Sequence, residues 1–424
     1  MATTYTADYK WAKPFSPRTK EPTVLGTKHL VIHAKENLSN QSKVFTFDFP
    51  TLSEFFFNLD SVQLFVKGEL RHGDNTAIEK GEEVALANAP LYSLFSSVQL
   101  TFGENQEVIT YNDYPFLSLF QICDKFYENS RSNFMTGFVP DDGLKVEGTT
   151  TTVSLTVRQS YVKESKSVIF MGKMFTDILN IDSYLLKNTP LSIQLTKAPA
   201  DFYVCAKDET KSYNFVIKDI QLHVDMIKPN PKLSDVIETQ MKTSDAVYSF
   251  DHLTLKKFNV PENVSTHIIN RVWSGVIPRR FAFALISEEA YQGRTTIDPM
   301  SFDSSALEKI TLKINGSYFE NLSMKDGIHA PYLKMLQFLQ TGDESFINSG
   351  IFDKSLKLFC FDLNVMCDNE QSCANEITPS GTLSVELSFK KATEKPFILF
   401  MYSFNEGKIQ IDNKRITSIT VNHA

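Results

Sequence analysis

The amino-acid sequence predicts an all-β protein built from two tandem antiparallel β-sandwiches. Short runs in which apolar and polar residues alternate recur along the chain, and this period of two is typical of half-buried strands. Phe and Tyr, which favour strands, number 34 and 15, against 2 Trp. Pro229-Asn230-Pro231 interrupts the pattern near the middle of the 424 residues, and strand patterns resume after it, which indicates a domain boundary there.

The beginning of the chain predicts a flexible arm over residues 1–27. This segment is polar, contains Pro14, Pro17 and Pro22, and shows no periodicity. It lacks the apolar core of a signal peptide, and no run in the sequence reaches the roughly 18 apolar residues that a membrane span needs. We therefore expect a soluble protein with no membrane span.

The first half then predicts strands from Val44 onward. Alternation is clear in residues 44–49, 62–70 and 98–102, and the pattern changes at Pro115–Phe126, which suits a short helix with one apolar face. Further strands are expected at Thr151–Val157, Ser167–Phe175, Leu191–Thr196 and Phe215–Met226.

The second half repeats this architecture without any repeat of individual residues. It contains eight predicted strands and one amphipathic helix near Pro331–Gln340. The predicted domains are residues 28–230 and 231–424. Eight antiparallel strands in two Greek keys form a jelly roll, which is one of several architectures open to such a sandwich.

The net charge of −7 argues against a protein whose main surface grips nucleic acid, because phosphate binding needs clustered Lys and Arg. The five cysteines do not resemble a disulfide framework, so folding in a reducing compartment is expected. Cys367 and Cys373 flank a polar loop, where a disulfide is the alternative to free thiols.

We find no pattern that predicts catalysis, a cofactor or a metal. His29 and His33 are four residues apart, but in an extended segment this spacing does not bring two imidazoles together. Adjacent acidic pairs such as Glu288-Glu289 lie in predicted loops or strand ends, where they are interpreted as solvated. Arg279-Arg280 begins a predicted strand and could contact phosphate or a neighbouring subunit's carboxylate, exposed Arg being the alternative.

Residues 84–122 form the first of three stretches that resemble one family. The shared positions there are Asn88, Leu91, Ser93, Leu94, Phe95, Ser96, Val98, Tyr111 and Tyr114. In residues 169–204 they are Gly172, Asp177, Leu185, Leu186, Leu195 and Phe202. In residues 275–303 they are Gly275, Ile277, Pro278, Leu285, Ala290, Gly293, Pro299 and Phe302, with departures at Ser287 (usually Asp) and Met300 (usually Phe).

Two late motifs, Phe361-Asp362-Leu363 and Ile409-Gln410-Ile411-Asp412, extend this ordered likeness along most of the chain. The chain thus resembles the major capsid proteins of the Polinton/Maverick and adintovirus type, which belong to the double jelly-roll lineage of eukaryotic double-stranded DNA viruses and virophages. The resemblance implies two tandem eight-stranded jelly-roll barrels with short helices inserted in loops. It carries over no catalytic residue.

The resemblance also implies a function and partners. The chain is expected to form homotrimers that act as pseudo-hexameric capsomers of an icosahedral capsid, beside a penton or vertex minor capsid protein. Such a coat encloses double-stranded DNA without sequence-specific binding. The protein is expected in the virion, after synthesis in the host cytoplasm or nucleus.

Aromatic residues of the first predicted helix are candidates for contacts between subunits. Phe116, Phe120 and Tyr127 would be the anchors, because aromatic residues carry much of the binding energy of interfaces. Packing within their own barrel is the alternative. Other functions that fit a double β-sandwich are a lectin-like carbohydrate-binding module, a glycoside hydrolase and a minor vertex protein.

Overall fold

The structure, a computed structural model, describes residues 23–39, 42–125, 135–147, 151–181, 183–302, 306–340, 342–363 and 380–421. The strands of the first half are β1 (Val24–His33), β2 (Val44–Asp48), β3 (Phe56–His72), β4 (Val84–Leu86), β5 (Phe95–Phe102), β6 (Glu107–Asn112), β7 (Val168–Lys173), β8 (Leu191–Lys197), β9 (Val204–Ala206) and β10 (Tyr213–Pro229). Those of the second half are β11 (Ala246–Val260), β12 (Thr266–Val276), β13 (Arg280–Ser287), β14 (Leu307–Ile314), β15 (Ser317–Ser323), β16 (Phe359–Asp362), β17 (Ser380–Phe389), β18 (Phe397–Ile411) and β19 (Thr417–Val421).

The helices are short and lie between strands. They are α1 (Pro90–Ser93), α2 (Tyr114–Lys125), α3 (Val153–Val162), α4 (Ala200–Tyr203), α5 (Pro231–Gln240), α6 (Glu288–Gln292), α7 (His329–Phe338) and α8 (Ser349–Lys354).

Both halves have the same strand order. In the first half the two large sheets run β1-β10-β3-β7 and β2-β8-β5-β6, and β4 pairs separately with β9. In the second half they run β11-β18-β13-β16 and β12-β17-β14-β15, and β19 pairs with β18. If the eight sandwich strands of each half are counted in order, both halves read 1-8-3-6 and 2-7-4-5. All these ladders are antiparallel, so each half is a jelly roll and the predicted fold is confirmed.

Alternation along the strands explains why the sandwiches close. Phe45 and Phe47 on β2 are buried while the residues between and beside them are not. Val62, Leu64 and Val66 on β3 are likewise fully buried. Because successive side chains of a strand point to opposite faces, each such strand places one apolar row in the core.

The helices predicted after the middle strands are confirmed as α2 and α7. Each follows the fifth sandwich strand of its jelly roll, β6 or β15, so the two helices hold equivalent places. The strand predicted at Thr151–Val157 is wrong, because this segment forms α3. Thr152 caps it by accepting a hydrogen bond from the Leu155 amide at 3.2 Å.

Two further features differ from expectation. Strand β1 begins at Val24, inside the range 1–27 predicted as an arm, and residues 1–22 lie outside the described part of the chain. The Pro-Asn-Pro segment starts a helix, α5, because Asn230 accepts a hydrogen bond from the Lys232 amide at 3.0 Å and Pro231 suits the first helical position. All ladders between the named strands stay within one half, on either side of this helix.

Candidate assembly surfaces

The sheet β11-β18-β13-β16 is buried on both faces at its centre, along β13 and residues 397–403 of β18. Along β13, Phe281, Phe283 and Leu285 belong to the core of the second jelly roll. The alternate residues Ala282, Ala284 and Ile286 belong to the apolar cluster that extends through the first jelly roll. Since β18 divides in the same way, the sheet is the wall between the two halves.

Helix α2 of the first jelly roll packs on this wall. The Phe116 ring centroid lies 4.7 Å from that of Phe400 on β18, and the Phe120 ring stacks on Tyr402 at 4.5 Å. The Tyr402 hydroxyl donates a hydrogen bond to the Phe116 carbonyl at 3.2 Å. We call this contact between α2 and β18 the seam; it holds the two jelly rolls together within one chain.

The seam corrects the prediction for Phe116 and Phe120. Their side chains are only 1% and 0% exposed, so neither ring is available to a neighbouring subunit. They anchor one half of the chain to the other half. Tyr127 lies outside the described residues.

An ion pair between a buried arginine and a half-buried aspartate forms a second tie between the halves. Arg158 on α3 is 2.8 Å from Asp298, and it also donates a hydrogen bond to the Leu86 carbonyl at 2.7 Å. Burial disfavours the charge of Arg158, but Asp298 beside it keeps the pKa of this guanidinium above its ordinary value. Breaking such a pair leaves an uncompensated charge, so it fixes the relative position of the halves.

The end of the second half folds back onto the first. The Asn105 amide donates to the Thr417 carbonyl at 2.7 Å, and the Thr417 backbone amide donates to the Asn105 side chain at 2.9 Å. Arg415 donates to the Lys187 carbonyl at 3.0 Å. This clasp, made by residues 415–417, is the third tie.

Arg279 and Arg280 are half-buried at the start of β13. The Arg280 guanidinium donates to the Phe338 carbonyl and lies 4.6 Å and 5.1 Å from the ring centroids of Phe338 and Phe404. Its contacts are therefore inside the chain. A contact of Arg279 with another subunit stays a prediction.

The described residues offer little chemistry for catalysis. No group of three or more His, Cys, Asp or Glu among them is placed to hold a metal. Cys123, Cys205 and Cys360 are buried, and burial raises the pKa of the Cys205 thiol to about 12, so it stays protonated near neutral pH. Cys367 and Cys373 lie outside the described residues.

A cavity of about 740 Å³ opens beside the seam. Polar side chains line much of it, including Asp60, Lys125, Lys173 and Asp177. Lys173 pairs with Asp60, and Asp177 accepts hydrogen bonds from the His252 ring and from the Leu253 amide. The two hydrogen bonds of Asp177 join the first half of the chain to the second half, which is a structural role.

Comparison with solved structures shows what this arrangement resembles. The cryo-EM structure of the Sputnik virophage matches with a TM-score of 0.60 at 12% identity, over 95% of this chain and 90% of that chain. The mavirus major capsid protein matches with a TM-score of 0.56 at 12% identity, over 100% and 96%. The PBCV-1 virus capsid matches with a TM-score of 0.56 at 10% identity, over 97% and 99%.

The chain has the double jelly-roll fold of viral major capsid proteins. No family model and no curated protein matches the sequence, so the likeness lies in the fold. In this double jelly roll, none of the helices in the described ranges is both long and apolar enough to span a membrane. The site residues that sequence reasoning missed are those of β18 that build the seam, Phe400 and Tyr402.

Proposed function

We propose that this chain is the major capsid protein of an icosahedral double-stranded DNA virus or virus-like transposon, with a structural and not an enzymatic role. The observation that carries the proposal is the repetition of one jelly-roll topology within a single chain. It is supported by a match along 100% of this chain and 96% of the mavirus major capsid protein.

The proposed assembly follows from two lobes per chain. Three chains arranged around a three-fold axis present six similar lobes, and this outline tiles a hexagonal lattice while using only closed symmetry. The seam, the Arg158–Asp298 pair and the clasp support this role, because they hold the two lobes of one chain in a fixed relation. In this proposal the boundary between the two domains lies between residues 230 and 231, and the first domain begins with β1 at Val24.

The proposed partners are other copies of the chain in the lattice and a penton or vertex minor capsid protein. The net charge of −7 suits a shell that encloses double-stranded DNA without sequence-specific binding. In this proposal the protein resides in the virion after synthesis in the host cytoplasm or nucleus.

The test is the mass of the purified full-length chain by light scattering, with negative-stain images of the same peak. The proposal predicts a particle of about 144 kDa, three times the 48.1 kDa chain, with a hexagonal outline. A stable 48.1 kDa monomer at every concentration tested would contradict it and favour a binding module.

A further inference from the structure

The same sheet of the two jelly rolls has very different surroundings. In the second jelly roll, α2 of the first jelly roll covers the outer face of β11-β18-β13-β16 at its strand β18. In the first jelly roll, the equivalent sheet β1-β10-β3-β7 leaves Val31 37% and Ile169 51% exposed. We call the outer side of this sheet the open face.

The strand register shows that the open face is continuous. Val31 on β1 lies opposite His223 on β10, which lies opposite Gln63 on β3. In the next row, Phe65 on β3 lies opposite Met171 on β7, and both are half-buried. Apolar side chains therefore alternate with imidazole and amide groups across all four strands.

A chain of polar contacts holds the imidazoles of this face in place. One ring nitrogen of His29 is 2.9 Å from the Asp225 carboxylate, and the other is 3.0 Å from Nδ1 of His223. Nε2 of His223 is buried, and no hydrogen-bond partner for it is found among the described residues. The open face thus includes two imidazoles that the Asp225 carboxylate holds in a fixed arrangement.

The helices that follow the fifth strands show the complementary difference. Helix α2 is buried from Tyr114 to Asp124, and strand β18 of the second jelly roll packs against it. Its counterpart α7 leaves Leu333 57% exposed, with Ala330 and Gln337 also exposed. Each chain therefore contains one sheet and helix that are in contact, the wall sheet and α2. It also contains an equivalent sheet and helix that are not in contact, the open face and α7.

We propose that the open face docks on α7 of a second copy of this chain, and so repeats between chains the contact that the seam makes within one. The inference rests on the proposed function, in which the two lobes of each chain alternate around a ring of three chains. A second copy fits as the occupant because each chain supplies both complementary surfaces. The contact is heterologous, sheet to helix, as a closed ring requires.

The two contacts differ in chemistry as well as in location. The seam joins aromatic rings, Phe116 and Phe120 on one side and Phe400 and Tyr402 on the other. The open face offers Val31, Ile169 and imidazoles to a helix that offers Leu333. The contact between chains is therefore more polar than the contact inside a chain, which suits subunits that fold first and associate afterwards.

The test introduces charge at exposed positions, where the fold loses no buried contact. Val31→Glu and Leu333→Glu are expected each to reduce the light-scattering mass from about 144 kDa to 48.1 kDa. The matched control is Ile268→Glu on β12, a residue 48% exposed, which is expected to keep the trimer mass. Circular dichroism melting of all three variants checks that each one is folded.

Mixing the two variants tests which surfaces meet. Val31→Glu keeps an intact α7 and Leu333→Glu keeps an intact open face, so an equimolar mixture is expected to form a pair of about 96 kDa, twice 48.1 kDa. A mixture that stays at 48.1 kDa overturns the pairing of these surfaces. A trimeric wild type whose Val31→Glu variant is also trimeric overturns the inference alone, whereas a monomeric wild type overturns the proposed function.

Discussion

The two sheets β1-β10-β3-β7 and β11-β18-β13-β16 share one strand order but differ in their outer faces. Residues 397–403 of β18 are all buried, and so are residues 281–287 of β13. On β3, buried residues alternate with exposed or half-buried ones along most of the strand. The topology is common to both sheets, so the difference comes from what covers each sheet.

This comparison shows that the sequence of a strand indicates whether one or both of its faces are buried. A strand with one buried face alternates, whereas a strand buried on both faces reads as a continuous apolar run. The run Phe397-Ile398-Leu399-Phe400-Met401-Tyr402 is of the second kind. The open face lacks such a run, which agrees with a surface that is covered only after folding.

The largest expected effect comes from cutting the seam at Phe116. Phe116→Ala removes a ring that is 1% exposed and contacts Phe400, so the free energy of unfolding should fall by about 3–5 kcal/mol. Urea denaturation measures it. The control is Val108→Ala at a side chain 49% exposed, which should change stability by less than about 0.5 kcal/mol. Equal losses in the two variants would show that the seam carries no special stability.

The ion pair between the halves should give the next largest effect. Arg158→Met leaves the Asp298 carboxylate without its cation, and stability should fall by about 3 kcal/mol. The double variant Arg158→Met/Asp298→Asn removes both charges and should recover part of this loss. If the double variant loses more stability than Arg158→Met and Asp298→Asn lose together, the two side chains do not stabilise the protein as a pair.

The periodicity of the sequence predicts the fold, but it does not predict the seam. Period-two runs and the Pro-Asn-Pro interruption indicated two β-sandwiches because they report which face of each strand is buried. The Thr and Val residues of segment 151–157 favour a strand, although the buried residues of α3, Ser154, Arg158 and Val162, recur every four positions as on a helix.

The direction in which a buried aromatic faces is harder to predict from sequence. The pattern identified Phe116 and Phe120 as an apolar helix face, but it did not tell whether another subunit or the other half of the chain covers that face. The continuous run of β18 carried the missing signal, because a strand with two buried faces needs a partner on each. Arg158 and Asp298, 140 positions apart, share no local pattern that predicts their pairing.

A smaller effect is expected at the clasp. Gly103 has φ 74°, and an added Cβ would lie 2.3 Å from the Thr417 hydroxyl oxygen and 2.8 Å from the Arg415 carbonyl. Gly103→Ala should cost about 1–3 kcal/mol, partly from left-handed backbone strain and partly from displacement of the clasp. Gly316, at φ 79° with nothing near its Cβ position, is the matched control, and Gly316→Ala isolates the strain. Equal losses of stability in Gly103→Ala and Gly316→Ala would mean that displacing the clasp costs no measurable free energy.

The smallest expected effect is a pH dependence centred on the open face. Burial, together with the charges of His29 and His33, lowers the pKa of His223 below its ordinary value of 6.5, and Asp219 opposes this shift. The unfolded chain therefore takes up a proton at this position before the folded chain does. The free energy of unfolding should decrease as the pH falls from about 6.5 through the lowered pKa.

His223→Gln tests this dependence, because glutamine keeps hydrogen-bonding capacity but does not titrate. Wild type and variant should differ by a constant amount above about pH 7.5, where a neutral imidazole contributes no titration, and the variant should lose less stability between about pH 7 and 5. Urea denaturation across this range measures both slopes. The same pH series followed by light scattering tests whether His223 acts at the contact between chains. If acid dissociates trimers of the wild type at a higher pH than those of His223→Gln, the imidazole acts at that contact. If both dissociate at the same pH, His223 titrates without influence on assembly, and the apolar residues of the open face carry that contact.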